Sequence, residues 1–251
     1  MSSSRDEIFK VMGLGPAWTL RAPLTNTETP IEKLLEPETA VASAVSAAAF
    51  PVVDPQTVLE RVTLEDLASQ VAQCQQCGLC KSRRQTVFSA GVAGSPLMVV
   101  GEAPGADEDA RGEPFVGRAG QLLDKMLQAL ELSRRSNVYI GNVLKCRPPG
   151  NRNPEPEEVA SCLPYLHQQI VSAQPKVLLL AGAFATKALL NTSEKVGQLR
   201  GQVHQVQIGE RSWPAIVTYH PAYLLRNPIE KRKSWQDLLL LQQTLAPHMN
   251  Q

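Results

Sequence analysis

Five cysteines are the residues of this chain whose type and spacing point most directly to chemistry. The first two form a C-x2-C pair, a third follows in the same segment, and the last two lie much further along the chain. Two thiolates at this spacing can reach one centre from a single turn, and two distant thiolates can close a shell of four. Zinc and iron–sulfur clusters both use such shells, so spacing alone does not choose between them. The five are Cys74, Cys77, Cys80, Cys146 and Cys162.

The compartment in which the chain works bears on these thiols. No apolar run approaches the roughly 20 residues that span a bilayer, and the N-terminus lacks the apolar stretch of a secretory signal. We therefore predict a cytoplasmic protein with no membrane partner, in which structural disulfides are not expected. A thioredoxin-like redox pair is disfavoured because no strand precedes Cys74. Incidental buried cysteines are the alternative to a metal site.

The elements that must position these residues are visible as apolar runs alternating with segments of helical spacing. Continuous apolar strands between helices are typical of a parallel sheet covered on both faces, so we predict an α/β fold. Residues 202–208 are expected to form an edge strand or a separate strand. The predicted strands are 97–101, 138–145, 176–182 and 215–221, and the predicted helices begin at Thr63 or cover 120–130, 155–172, 183–190 and 235–245.

In such folds the functional site lies at the carboxyl ends of the strands. The loops that follow the predicted strands should therefore hold the unusual chemistry. Three of the four are dense in polar, glycine and proline residues, as this expectation requires. The loops are GEAPGADED (101–109), NVLKCRPPGNRNP (142–154), GAFAT (182–186) and HPAYLLRNP (220–228).

The N-terminal quarter differs from the rest in composition and charge. Residues 1–60 are expected to contain a short helix within 4–20 and then a flexible linker, or a loosely packed decoration, ahead of a domain at 61–251. Residues 1–73 carry a net charge of −5 and residues 74–251 a net charge of +6. A basic domain agrees with an anionic partner such as nucleic acid, although a surplus of this size is also common on soluble surfaces.

Four long motifs together resemble the family 4 uracil-DNA glycosylases, over roughly residues 68–246. The resemblance is specific because the motifs occur in the family's order and with its cysteine spacing. It does not extend to residues 1–60. The motifs are CQQCGLCKSR (74–83), LMVVGEAPGADEDARGEPFVGRAGQLLD (97–124), VYIGNVLKCRPPGNRNP (138–154) and TYHPAYLLRNP (218–228).

The resemblance implies a fold, an activity and a cofactor. The fold would be the three-layer α/β/α glycosylase fold with a central, mainly parallel four-stranded sheet. The activity would be hydrolysis of the N-glycosidic bond of uracil in DNA by a monofunctional enzyme, which starts base excision repair. A structural [4Fe–4S] cluster would be bound by four of the cysteines, and Cys80 would not be a ligand. The implied ligands are Cys74, Cys77, Cys146 and Cys162.

The same resemblance supports roles for three catalytic residues. A uracil must be flipped out of the stack, and breaking its bond builds positive charge on the sugar and negative charge on the base. Glu102 would position the water or stabilise the cationic sugar, and Glu108 would serve the water or the loop. His220 would donate a hydrogen bond to uracil O2, for which a neutral imidazole suffices.

Further residues are expected to bind the base and the DNA. The backbone of Gly101, Ala103 and Gly105 would face the base or a phosphate in a tight loop. Phe115 would stack on the base, and the amide of Asn142 would distinguish uracil from cytosine. Leu224 and Leu225 would enter the gap left by the flipped base while Arg226 contacts phosphate. A phosphate footprint, or simply a solvated basic face, is expected from Lys81, Arg83, Arg84, Lys145, Arg147 and Arg152.

Three alternatives stay open at this point. Family 5 glycosylases have broader specificity and carry a nonacidic residue where this chain has Glu102. A branch that bonds covalently to DNA carries an inserted basic loop with a reactive histidine, and residues 199–207 show no such insertion although His204 lies there. A non-enzymatic, metal-stabilised DNA-binding module would recruit a repair or replication protein through residues 1–60. We expect a monomer in each case.

Overall fold

The computed structural model describes residues 62–249, so the helix expected within 4–20 and the linker expected at 21–60 lie outside the described residues. Short 3-10 turns cover Gly78–Lys81, Pro149–Asn151, Pro228–Glu230 and Ala246–His248. The helices are α1 Leu64–Gln73, α2 Ala106–Arg111, α3 Arg118–Gln128, α4 Pro156–Ala173, α5 Ala183–Leu190, α6 Val196–Leu199, α7 Pro221–Arg226 and α8 Lys231–Leu245. The strands are β1 Ala90–Gly91, β2 Leu97–Gly101, β3 Val138–Asn142, β4 Val177–Ala181, β5 Val203–Ile208 and β6 Arg211–Thr218.

The strands form one sheet of six in the order β1-β3-β2-β4-β6-β5. The four central strands are parallel and correspond to the four predicted ones. The sheet is wider than the expected four strands because β1 and β5 add antiparallel edges. The strand expected at 202–208 is thus an edge strand, Val203–Ile208. Its first three residues are exposed or half-buried, as is usual at the edge of a sheet. The two-residue β1 has no periodicity that a sequence pattern can reveal.

Two hydrophobic cores lie on opposite faces of the sheet, which confirms the three-layer α/β/α architecture. Alternate residues of a strand point to opposite faces, so Met98 contributes to one core and Val99 to the other. Helices α4 and α5 cover the first face, and α3 and α8 cover the second. Among residues 62–249, no helix combines the length and apolar character needed to cross a bilayer.

The register of the parallel strands brings their carboxyl ends to one edge of the sheet. Gly101 at the end of β2 is paired with Asn142 at the end of β3. Ala181 at the end of β4 is paired with Thr218 at the end of β6. The loops that follow these four residues therefore start side by side, and three of them are the polar loops singled out in the sequence.

Candidate active site and cysteine cavity

A cavity of about 410 Å³ lies at this carboxyl edge. Eight of the residues predicted to act in catalysis or binding line it, although they come from four separate segments of the chain. The loop after β3 also contributes Arg152, which was expected to contact phosphate. It adds three residues whose individual roles the sequence does not suggest: Pro148, Asn151 and Asn153. The eight predicted residues are Glu102, Ala103, Gly105, Glu108, Phe115, Asn142, His220 and Arg226.

Glu102 follows β2 directly and lines the cavity. Its side chain is half-buried, and burial raises its pKa to about 7, while the Arg226 guanidinium acts in the opposite direction. A carboxyl group with a pKa near the working pH can hold a water molecule and accept its proton. Its position and its pKa therefore agree with the predicted role in placing a water.

His220 caps the N-terminus of α7, and its Nδ1 accepts a hydrogen bond of 3.1 Å from the amide of Ala222. Burial, and to a smaller extent the charge of Arg226, lowers its pKa to about 4. The neutral ring must then carry its proton on Nε2, because Nδ1 acts as acceptor. The structure thus prepares a neutral imidazole that donates through Nε2.

Gly182, in the loop after β4, makes room for this histidine, and the sequence analysis did not single it out. A Cβ atom at this position would lie 2.8 Å from Cβ of His220, and its φ of +94° is a conformation that suits glycine. A larger residue would push His220 out of place. The only indication in the sequence was that the glycine ends a predicted strand.

Phe115 forms a wall of the cavity beside His220. The two rings are stacked with their centroids 5.6 Å apart and an interplanar angle of 27°. Gly101 lies behind this wall and does not line the cavity: a Cβ atom there would come within 2.5 Å of Cζ of Phe115 and 2.4 Å of Oδ1 of Asn142. Gly101 is therefore not placed for the predicted contact with the base and has a packing role. Because it has no side chain, Phe115 and Asn142 can approach its backbone closely.

Asn142 ends β3 with only 2% of its surface exposed. Its Oδ1 has no hydrogen-bond partner among residues 62–249, whereas its backbone carbonyl accepts a 2.8 Å bond from Nζ of Lys145. Nζ of Lys145 also donates to Oε1 of Gln169 at 2.6 Å. A buried acceptor without a partner is costly, so a ligand that offers an N–H would be favoured at this position.

Glu108 lines the cavity, but its carboxylate is occupied by the backbone. It accepts hydrogen bonds from the amides of Gly105 at 3.1 Å, Val116 at 2.9 Å and Gly117 at 3.0 Å. These bonds tie the loop after β2 to the start of α3. Of the two roles predicted for Glu108, this geometry favours the one in which it orders the loop, and a role toward the water stays a prediction.

Leu224 and Leu225 were expected to act together, and the structure separates them. Leu224 is fully buried in the core, whereas Leu225 is 36% exposed. Residues 221–226 form a helix rather than an open loop, and adjacent residues of a helix point about 100° apart. The prediction that Leu224 enters DNA is thus wrong in this conformation, while Leu225 and the exposed Arg226 lie at the surface. Ile229 nearby, 78% exposed, was not singled out by the sequence.

A second cavity is lined by all five cysteines, which come from the end of α1, the turn after it, the segment after β3 and the middle of α4. All five are unpaired thiols. Among residues 62–249, no three His, Cys, Asp or Glu side chains are gathered as tightly as in a metal site. The structure therefore brings together the predicted ligands, with Cys80 beside them, and does not display a coordination shell.

Cations and hydrogen-bond donors border the sulfur atoms. Nη1 of Arg83 donates to Sγ of Cys146 at 3.2 Å, and the amide of Lys145 donates to Sγ of Cys162 at 3.3 Å. Burial raises the pKa of Cys146 and raises that of Cys162 to about 12. Lys145 is fully buried, which contradicts the phosphate contact expected of it. Arg83 is half-buried and directs Nη1 toward Cys146, and its phosphate contact stays a prediction.

The donor set fits a thiolate-bound metal group. The described residues that line this cavity include sulfur donors but neither carboxylate nor imidazole, and thiolates favour zinc, copper(I) and iron–sulfur clusters. Positive charge from Arg83 and Lys145 offsets the charge that four thiolates would bring. Because burial raises the pKa of the Cys77, Cys146 and Cys162 thiols, a metal group would displace their protons on binding.

The chain is similar to known proteins over most of its described part. The profile of the family described as Uracil DNA glycosylase superfamily matches residues 88–239. A type-4 uracil-DNA glycosylase of Pyrobaculum aerophilum is 42% identical over 181 residues, which make up 70% of this chain and 92% of that protein. Its counterpart in Archaeoglobus fulgidus is 41% identical over 66% of this chain and 85% of that protein. A type-5 uracil-DNA glycosylase of P. aerophilum is 30% identical over 50% of this chain and 69% of that protein.

Proposed function

The chain belongs to the uracil DNA glycosylase superfamily and, within it, to the type-4 uracil-DNA glycosylases, and we propose that it hydrolyses the N-glycosidic bond of uracil in DNA. This reaction is the first step of base excision repair. One observation carries the proposal: a carboxyl group with a pKa near 7, a neutral imidazole donor and an unpaired amide oxygen line the same cavity. The three groups belong to Glu102, His220 and Asn142.

Base recognition is assigned to Phe115 and Asn142. The uracil is flipped out of the stack because its glycosidic bond is not accessible within the duplex. It stacks on the ring of Phe115 and donates its N3–H to Oδ1 of Asn142, the buried acceptor that lacks a partner. Cytosine has no hydrogen on N3 and is therefore a poorer match. The acceptance of uracil over cytosine would come from this single bond.

Bond cleavage is assigned to His220 and Glu102. The bond between C1′ and N1 breaks with its electron pair moving onto the uracil, and the Nε2–H of His220 donates to O2, where negative charge develops. The carboxylate of Glu102 faces the positive charge on the sugar and orients a water molecule. Oxygen of that water adds to C1′ and the carboxylate accepts its proton, which leaves an abasic site and the uracil anion. The anion takes up a proton from water on release and gives free uracil. No lysine nucleophile takes part, so the strand itself is not cut.

The surface around the cavity is proposed to bind the DNA backbone and the gap in the base stack. Leu225 and Arg226 lie exposed on α7 beside the cavity. Leu225 offers an apolar side chain to the gap left by the flipped uracil, and Arg226 offers a charge to phosphate. We retain Ala103 and Gly105 as backbone contacts to the base or a phosphate, since both line the cavity.

We propose that Cys74, Cys77, Cys146 and Cys162 hold a structural [4Fe–4S] cluster, with Cys80 outside the ligand set. The support is the family membership and the cavity lined by thiols. When bound, such a cluster would cross-link α1, the segment after β3 and α4. We further propose that the protein is cytoplasmic, acts as a monomer, and uses residues 1–60 to contact a repair or replication protein.

The activity is tested with the purified full-length protein and a labelled oligonucleotide that contains one uracil. After incubation and alkali treatment, we expect scission at the uracil and none at cytosine or thymine in otherwise identical strands. A brown protein with absorbance near 400 nm (approximate, from general iron–sulfur chemistry) confirms that the metal group is in place. Absence of abasic product from such a preparation would overturn the enzymatic proposal in favour of a binding module.

A second experiment must distinguish uracil specificity from the broader base specificity of the type-5 glycosylases. Glu102 is acidic, which argues against that family, and the type-4 relatives are the more similar ones. A panel of oligonucleotides with uracil, hypoxanthine and other altered bases is compared under single-turnover conditions. We expect uracil to be released fastest, and equal rates on several bases would favour the broader specificity.

A further inference from the structure

Phe115 adopts a backbone conformation that nothing in its own side chain favours. Its φ is +56°, in the left-handed region where residues other than glycine are uncommon. The ring is only 6% exposed and lies against Gly101 and His220. Such a conformation persists only where the surroundings enforce it, and such positions are concentrated at functional sites. The contacts that hold this backbone therefore set the orientation of the ring.

Arg134 supplies contacts on one side of this backbone. Its Nη2 donates to the carbonyl oxygen of Phe115 at 2.9 Å, and its Nη1 donates to that of Pro114 at 3.0 Å. On the other side, the carboxylate of Glu108 holds the amide of Val116. Arg134 thus holds both peptide groups that flank the Phe115 Cα atom through their carbonyl oxygens, and Glu108 holds the second of them through its N–H.

Arg134 is itself held in place. Its Nε contacts Oδ1 of Asp124 at 2.8 Å and its Nη1 contacts Oε1 of Glu113 at 3.4 Å. The Arg134 side chain is 15% exposed and does not line the cavity, so it does not touch a bound base. The planar guanidinium offers several donors in one rigid fork, which the ammonium of a lysine cannot reproduce.

We propose that Arg134 is a positioning residue that sets the ring of Phe115 for stacking on the base, and that it acts on the reaction only through this ring. The inference rests on the proposed function, because the stacked ligand is taken to be uracil. Loss of the Arg134 hydrogen bonds lets Phe115 relax from its left-handed conformation and turns its ring away from His220. Substrate binding should weaken, while the groups that break the bond stay in place.

The experiment is a double-mutant cycle in the full-length, iron-loaded protein: Arg134→Ala, Phe115→Ala and the double variant. A misplacement of about 1 Å can cost about 100-fold in rate, so we expect Arg134→Ala to lower kcat/KM by up to about 100-fold. The loss should lie mainly in KM and in the affinity for free uracil, which contacts the pocket without the DNA. The double variant should lose no more than Phe115→Ala alone, since coupled residues are not additive.

Arg135→Ala is the matched control, because it removes the same charge from the next residue, whose side chain is exposed. It should retain wild-type kinetics. Additive losses in the cycle, or an Arg134→Ala variant with wild-type affinity for uracil, would overturn the proposal. If Arg134→Ala does not fold, the same cycle is run with Arg134→Lys, which keeps the positive charge but lacks the rigid set of donors of the guanidinium. Wild-type activity on uracil tests the proposed function separately, so the two proposals can fail independently.

Discussion

The cavity that Glu102, Asn142 and His220 line, called the polar cavity below, and the cysteine cavity meet at the two ends of residues 142–146. They differ in how far the protein's own hydrogen bonds organise them. Asn142 lines the first cavity, whereas Lys145 and Cys146 line the second. In the polar cavity the protein's own hydrogen bonds hold Glu108, His220 and the backbone of Asn142. This cavity is therefore organised before any ligand arrives.

The cysteine cavity is organised to a smaller degree by the protein itself. Its sulfur atoms receive hydrogen bonds chiefly from Arg83 and the amide of Lys145, and burial keeps several thiols protonated. We therefore expect the cysteine cavity to need a bound metal group for its order and to contribute to stability. The polar cavity is expected to contain the groups that react. Lys145 connects the two, since its amide contacts Cys162 and its ammonium contacts the carbonyl of Asn142.

The largest effect is expected from Cys146→Ala. Loss of one ligand should release the metal group, and the several kcal/mol that such a group contributes to folding corresponds to a fall in Tm of about 10 °C or more. Iron content and thermal melting measure both changes. Cys80→Ala is the control and should retain iron and Tm. Retention of iron by the first variant, or its loss from the second, would contradict the assigned ligand set.

The chemistry of the polar cavity is tested with Glu102→Gln. Removal of a general base typically costs 10²–10⁴-fold, so we expect a fall of about 1,000-fold in single-turnover rate at pH 8 with iron content unchanged. Because the pKa of Glu102 is raised to about 7, the wild-type rate should rise with pH through about 7 and the variant should not. Glu210→Gln, an exposed carboxylate on the turn between β5 and β6, should behave like the wild type.

The same substitution should raise stability. Burial raises the pKa of Glu102 above its unfolded value of 4.5, so the folded state holds the proton more tightly than the unfolded chain. Stability from this group is present below that unfolded value and is lost as pH rises to about 7. Glu102→Gln should therefore raise Tm at pH 8 by a few degrees, and by less at pH 5. A lower Tm at pH 8 would contradict this account.

Substitutions at Leu224 and Leu225 should separate a contribution to stability from the proposed contribution to DNA binding. Leu224→Ala removes a fully buried side chain and should cost about 2–5 kcal/mol in unfolding free energy, measured in urea. Leu225→Ala should leave that free energy nearly unchanged and slow uracil release more on duplex than on single-stranded DNA. The reverse pattern would show that Leu224 leaves the core when DNA binds.

The smallest effect is expected from Arg226→Gln. The Arg226 charge lowers the pKa of Glu102, so its removal should move the midpoint of the pH–rate profile upward by less than about one unit. High salt should reproduce part of the shift in the wild type because it screens the charge. Arg232→Gln, also an exposed cation, is the control. A midpoint that does not move, or moves downward, would remove Arg226 from the electrostatics of the site.

Much of the fold was predictable because it depends on local patterns. The continuous apolar run at 97–101 and the helical spacing at 183–190 have the same bounds in the structure as in the prediction. The start of α1 follows from Thr63, which accepts a hydrogen bond from the amide of Asp66. The edge strand β1 was not predictable, because two residues carry no period and pair only through contact with β3.

The sequence by itself determined the α/β class, the four parallel strands, the family and which loops hold the reactive residue types. The tertiary structure decided what each residue does: Glu108 holds backbone amides, Leu224 enters the core, Lys145 is buried, and Phe115 is held by Arg134. The physical reason is the separation along the chain over which each interaction acts. Periodicity and capping act between neighbours in the chain, whereas burial, pKa shifts and an enforced backbone angle arise from groups that only folding brings together.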